Sequence, residues 1–286
     1  MNPFAAWLLA GVLLVLAGAG VRWLGERRWS RGAAALDAAL AAGRGMPVPA
    51  TYDPRELEGL PAPAQRFFRA VLTPGQPLVA AARLSHTGQF NLSDHGEQWK
   101  PFTSRQSVVT RRPGFVWDAR IGMAPGVVVR VHDAYRAGEG WLHAAVLGLF
   151  DLARQQGGGE LARGELMRFM AEAAWYPTAL LPSQGVRWEA VDEGSADATL
   201  VDAAVEVTLR FRFDAAGHMA SVRADARGRG SGASMRLLPW EGRWSDHRVH
   251  EGMTVPFAGE VAWVLPQGPR PYWRGTLTAL DIDWAA

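Results

Sequence analysis

The chain has 286 residues, 13 of them tryptophan and none cysteine, with a net charge of only +2. That length holds a membrane anchor and one domain with a sizeable core, and the missing cysteines exclude disulfides, zinc–thiolate sites and a lipoprotein anchor cysteine. The pI of about 9.4 reflects arginine, since Lys100 is the only lysine. Arginine stays charged at any ordinary pH, so a small excess lifts the pI without making a basic surface, and nucleic-acid binding is not implied.

Pro3 to Val21 is an uncharged apolar run, followed by Arg22, Arg27, Arg28 and Arg31. About 19 residues rising 1.5 Å each cover roughly 28 Å, enough for a bilayer core. Trp7, Trp23 and Trp29 suit its interfaces. Met1-Asn2-Pro3 carries no basic residue, so residues 1–29 are expected to be a retained anchor rather than a cleaved signal peptide. A single-pass protein of the bacterial inner membrane is expected, and the arginines after the span favour a cytoplasmic domain. Residues 30–59 read as a juxtamembrane helix, with Leu36 and Leu40 on one face and Gly43 and Gly45 as stops, then a proline-punctuated linker from Met46 to Tyr52. The segment AQRFFRAVL after Pro63 is a short helix whose apolar face is Phe67, Phe68, Val71 and Leu72.

From Leu78 the period changes to two. Phe115, Trp117, Ala119, Ile121 and Met123 alternate with polar or small residues; Val127, Val129, Val131 and Tyr135 continue after an Ala124-Pro125-Gly126 turn. Gly159 to Pro182 interrupts this with a helical pattern over 160–175: Leu161, Leu166, Phe169, Met170, Ala173 and Ala174 recur at three- and four-residue spacing. Arg168 and Glu172 sit four apart, within pairing reach, and Tyr176-Pro177 ends the helix. Alternation resumes through Val205–Phe213, His218–Arg227, Met253–Leu265, where Gly259 reads as a bend or bulge, and Thr278–Trp284. Gly228–Ser234 reads as a flexible loop. The pattern predicts an α+β domain over 60–286: a strongly curved antiparallel sheet of about ten strands, a half-barrel or open barrel, clasping the inserted helix.

The segments PGFVWDAR at 113–120, GELMRFMAE at 164–172, WYPTALL at 175–181, VRWE at 186–189, WEGRW at 240–244 and Pro256–Trp263 resemble a family of bacterial membrane-anchored proteins of unknown function, from about Leu60 onward. The resemblance supplies no catalytic residues. A weaker, fold-level similarity is to half-barrel lipoprotein-carrier domains, which implies a curved sheet around an apolar cavity.

The phosphate-loop, nucleophile-elbow, zincin and dinucleotide-binding motifs are missing from the sequence, and no cofactor or metal is expected. His247 and His250, and the neighbours in His132-Asp133 and Asp246-His247, should point apart on strands. Glu172 reads either as a pocket acid that works as acid or base or holds a ligand headgroup, or as half of a structural ion pair with Arg168, with Glu189 a possible neighbour. Trp117, Trp175, Trp188, Trp240, Trp244 and Trp263 read as core and rim packing or as walls that stack a ligand. The ligand-binding expectation is therefore Trp117, Arg168, Glu172, Trp175 and Trp188, holding a lipid or another hydrophobic molecule in the concave face. Two alternatives stand beside it: an enzyme on a membrane-proximal substrate using Glu172 with Asp118, Asp133 or Glu189, and an envelope interaction protein with a filled core.

Overall fold

The turns divide the chain after Leu78 into thirteen strands among the described residues, not about ten. They run as β1 (Val79–Asn91), β2 (Trp99–Val109), β3 (Gly114–Ala124), β4 (Val127–Arg136), β5 (Glu139–Val146) and β6 (Phe150–Gly157), then β7 (Arg187–Asp192), β8 (Ser195–Asp202), β9 (Val205–Phe213), β10 (Met219–Arg229), β11 (Arg236–His250), β12 (Met253–Leu265) and β13 (Gly268–Trp284). This computed structural model describes residues 3–93, 96–230 and 232–286. Met1 and Asn2 of the expected anchor and Ser231 of the expected loop lie outside the described residues; β10 itself takes up the first residues of that loop.

All strands form one antiparallel sheet in the order β6-β5-β4-β3-β2-β1-β13-β12-β11-β10-β9-β8-β7. Two meanders thus meet where β1 pairs β13, and the sheet stays open between β6 and β7. Helix α3 (Gly159–Glu172) connects these two free edges, so it must cross the concave face. It is buried nearly all round, through Ala162, Leu166, Met167, Phe169 and Met170, because the sheet wraps it rather than meeting one face. Tyr135 on β4 adds a tie across the opening, its hydroxyl donating to Asp202 Oδ2 on β8 at 2.7 Å.

The two rims of the sheet differ. Helix α2 (Ala62–Val71) covers the rim formed by the turns after β7, β9 and β11. Arg66 donates to the carbonyl of Glu193, Gly217 packs on Arg66 and Ala70, and Thr73 Oγ1 donates to the Gly252 carbonyl at 3.2 Å. Phe67 and Phe68 drive into the core there.

Helix α1 runs unbroken from Pro3 to Ala42, joining the expected anchor and juxtamembrane helix into one rod of about 60 Å. Its second half lies against the outer face of β2–β5. Leu36 and Leu40 pack on Val109, Val116 and Ala134. The Trp29 indole N–H donates to Asp118 Oδ1 at 2.8 Å, and its ring rests 4.0 Å from that of His132. The outer surface of the sheet is therefore a second, smaller core. The first half of α1 projects past the other rim with its apolar side chains exposed, and among the described residues α1 is the one helix long and apolar enough to cross a membrane.

Candidate binding cavity

Alternation along β1–β4 places Leu84, His86, Phe102, Ser104, Gln106, Phe115, Trp117 and Asp133 on the concave face, opposite α3. Three charged residues of α3 share its side toward β4: Glu165, Arg168 and Glu172, spaced three and four apart. Arg168 organises them. Its Nη1 donates to Asp133 Oδ2 at 2.8 Å and its Nε to Glu172 Oε1 at 2.7 Å. The guanidinium lies 5.0 Å from the Phe115 ring centre and 4.7 Å from that of Trp117. Gln106 Nε2 donates to the other Glu172 oxygen at 2.6 Å. Burial works against the charge of Arg168, but the carboxylates of Glu172 and Asp133 outweigh it and hold the guanidinium firmly protonated.

Burial raises two acids of this group. Glu165 is pushed up to about 8, first by desolvation and then by the charge of Asp133, and Asp133 is raised chiefly by its own burial. Glu165 Oε2 has no partner among the described residues. His86 is pushed down to about 3 by burial and by the positive charge of Arg168, so it is neutral, and both its ring nitrogens lack a partner among the described residues. It rests 4.5 Å from the Trp175 ring.

Beside this network lies an inner chamber of about 100 Å³ walled by Trp117, Trp175, Trp240, Trp244 and Trp273, with Phe90, Val261 and Tyr272. Trp175 is fixed by its indole N–H, 2.9 Å from the Pro256 carbonyl, and by an edge-on contact with Trp244 at 4.9 Å. Gly259, which pairs with Trp244 on one side and Gly275 on the other, is the floor and not a bulge. A Cβ on Gly259 would lie 2.5 Å from the Trp244 ring and one on Gly275 2.3 Å from that of Trp273, so the glycines let the indoles lie flat on the sheet.

A wider chamber of about 390 Å³ adjoins it, lined by Asn91, Leu142, Glu160, Glu165, Arg229 and Arg270 among others. Phe90, Asp133, Arg227 and Tyr272 border both. Arg227 stands at this junction with its guanidinium 4.8 Å over the Trp240 ring.

Of the residues expected from sequence, Trp117, Arg168, Glu172 and Trp175 come together around the inner chamber. Trp188 does not. It is buried toward the covered rim against Phe68, Phe211 and Phe213, its indole N–H donating to the Leu180 carbonyl at 3.0 Å, because β7 is the far edge strand. Glu189, the next residue on that strand, points outward and is exposed, so the partners of Glu172 are Arg168 and Gln106. Asp118 faces outward to Trp29. Asp133 and His132 point apart, as expected of strand neighbours. The sequence reading missed Glu165, Gln106, His86 and Arg227; the signal for Gln106 and His86 was a polar residue at an inward position of β2 and β1.

The model of a family of unknown function, DUF6920, matches residues 58–282. The chain belongs to this family. Its DUF6920 region contains the whole sheet except the last residues of β13, with α2 and α3. Among solved structures the chain is similar to a LolA superfamily protein of Nitrosomonas europaea, at 13% identity and a TM-score of 0.40, over 77% of this chain and 93% of that one. It is also similar to a β-barrel-like protein of the unknown-function domain DUF1849 from Brucella abortus, at 11% identity and a TM-score of 0.22, over 72% and 99%. No curated protein matches the chain.

A second polar cluster, Asp214, His218 and His247, lies within ligating reach of itself at the covered rim. The two imidazoles stack 4.7 Å apart with 20° between their planes, so their nitrogen lone pairs run parallel instead of converging as a metal site needs.

Proposed function

We propose that this protein is a membrane-tethered binding module that holds a lipid or other amphipathic molecule in the concave face of its sheet. The observation that carries the reading is the pair of joined chambers, one walled by indoles and one that adds charged groups, with Asp133 and Arg227 bordering both and Arg168 and Glu172 in the wall of the inner one. Apolar walls with a few placed polar groups are what a small-molecule site needs. The tail end of an acyl chain fits the inner chamber, Trp117 and Trp175 stack along it, and the polar part of the ligand lies in the wider chamber near Arg227 and Glu165. Trp188, sealed beneath α2, supports the fold and not the ligand. The anchor is the first half of α1, a single pass through the inner membrane; the arginines at its domain end favour the cytoplasmic side. Fusion of a reporter to the C-terminus tests that side: green fluorescence is expected, and alkaline phosphatase activity would reverse the orientation. Binding is tested by titrating the purified protein with a fluorescent acyl probe. Saturable binding that Trp175→Ala weakens at least tenfold supports the site, and binding that is unaffected places it elsewhere.

A second reading has one observation in its favour. Glu165 retains its proton near neutral pH and faces the wider chamber, as a general acid would. Asp133 and Glu172, by contrast, are both engaged by Arg168. Turnover of a membrane lipid that Glu165→Gln abolishes while binding persists would favour an enzyme.

A further inference from the structure

Turns at one rim of the sheet help to line the wider chamber. The other rim is covered by α2, with Phe67 and Phe68 packed inside. In an antiparallel meander alternate turns fall at the same end, so the turns after β1, β3, β5, β10 and β12 share the uncovered rim. Residues at three of those turns line the wider chamber: Asn91–Ser93, Arg229 with Met235, and Arg270 with Pro271.

Helix α1 leaves the domain at that same rim. Gly25 packs against the carbonyl of Leu147 in the turn after β5, and Arg22 reaches Gly126 in the turn after β3. Arg28 Nη1 also donates to the Leu149 carbonyl at 3.4 Å. Beyond Arg22 the helix is the apolar, exposed segment. Since a helix rises 1.5 Å per residue, a bilayer that takes up the run ending at Val21 begins within about one helical turn of these rim turns. Phe150 and Leu152, beside the exit point, are 64% and 62% exposed, and Leu92, which lines the wider chamber, and Leu237, which pairs with Gly228 of its wall, are exposed as well. Arg22, Arg27 and Arg28 add positive charge at the same level, suited to lipid phosphates.

We propose that the uncovered rim rests on the bilayer that tethers the protein, with Leu92, Phe150, Leu152 and Leu237 in the lipid interface, so that the ligand is a lipid of that membrane passed directly between bilayer and cavity. This rests on the binding reading above and adds where the ligand comes from. A lipid entering this way keeps its chain out of water throughout, which removes the largest cost of extracting it.

The chain has no cysteine, so single labels need no background removal. Leu92→Cys, Phe150→Cys and Leu237→Cys carry a nitroxide on the rim, Val249→Cys one at the opposite end, and Leu14→Cys one in the anchor. The full-length protein is placed in vesicles of phosphatidylethanolamine and phosphatidylglycerol, and collisions with oxygen and with a water-soluble nickel chelate are measured. The rim labels are expected to show an oxygen-to-nickel ratio several-fold above that of the Val249 label and to approach that of the Leu14 label. Rim labels as open to nickel as the Val249 label would overturn the proposal, while a lipid-embedded Leu14 label and a saturable acyl probe would leave anchored binding standing. Rim labels shielded from both probes would also overturn it, showing protein, such as a second copy, on the rim. A Leu14 label open to nickel would defeat the anchor as well.

Discussion

Arg168 on α3 and Asp133 on β4 join across the interior through a 2.8 Å hydrogen bond between guanidinium and carboxylate. Both side chains are mostly buried, at 14% and 18% exposure, and Glu172 shares the same guanidinium. Removing the cation leaves the Asp133 and Glu172 carboxylates facing one another out of water. Arg168→Met is therefore expected to cost roughly 3–5 kcal/mol in urea unfolding, and a variant as stable as the parent would show that water or another cation already screens the cluster.

The acids set a pH dependence. Glu165 is raised from 4.5 to about 8, so above the unfolded value the native state binds more protons than the unfolded one, and its contribution to stability falls as pH rises toward 8. Asp133 is raised too and acts in the same direction. His86, lowered from 6.5 to about 3, works oppositely: its contribution is intact above the unfolded value and is lost as pH falls through the window toward 3. Between about pH 6.5 and 8 the carboxyl effect is uncovered. Denaturant midpoints are expected to drop over that range, and Glu165→Gln to flatten the slope. A parent profile that rises there contradicts the assignment.

Trp175 is the anchor of the inner chamber, and its truncation removes a large buried ring together with the bond to the Pro256 carbonyl. Trp175→Ala should cost about 3–5 kcal/mol and lose ligand. Trp188→Ala should cost a similar amount, about 3–5 kcal/mol, but retain ligand at saturating probe, since Trp188 touches neither chamber. Glu172→Gln keeps the shape and leaves Arg168 its bond to Asp133, so a loss below about 2 kcal/mol is expected. Calorimetry and probe titration of the three variants separate the roles.

The second half of α1 belongs with the sheet. A chain that starts at Gly25 keeps Leu36 and Leu40 on Val109, Val116 and Ala134 and Trp29 on Asp118 and His132; one that starts at Tyr52 exposes that outer core. At about 1.5–3 kcal/mol per buried side chain, the longer chain should be the more stable by several kcal/mol and the less prone to aggregate. Equal melting temperatures would show that the helix is merely laid on the surface.

How legible this was depends on whether local spacing or long-range pairing decides. The inserted helix, the alternating strands and the Arg168–Glu172 pair follow from three-, four- and two-residue periods, and the structure has them. The strand number does not, because short hairpins such as β4–β5 turn on Ala137-Gly138 without the proline or Asp-Gly signals that mark other turns. Which strand ends up beside which is not local either. Trp188 and Trp117 both belong to strands, and nothing local tells that β7 and β3 lie on opposite halves of the sheet. The same holds for Glu165, whose charged neighbours Asp133 and Arg227 come from β4 and β10. Leu36 and Leu40 announce an apolar helix face, but nothing in their spacing says that the outer side of a sheet receives it.

The most direct test of the central claim is native mass spectrometry of the full-length protein released from detergent micelles after purification from its own membrane. A second charge series displaced by the mass of one lipid is expected, persisting at collision energies that strip detergent and lost in Trp175→Ala. Only the bare polypeptide mass, in spectra where the protein remains folded, would contradict it.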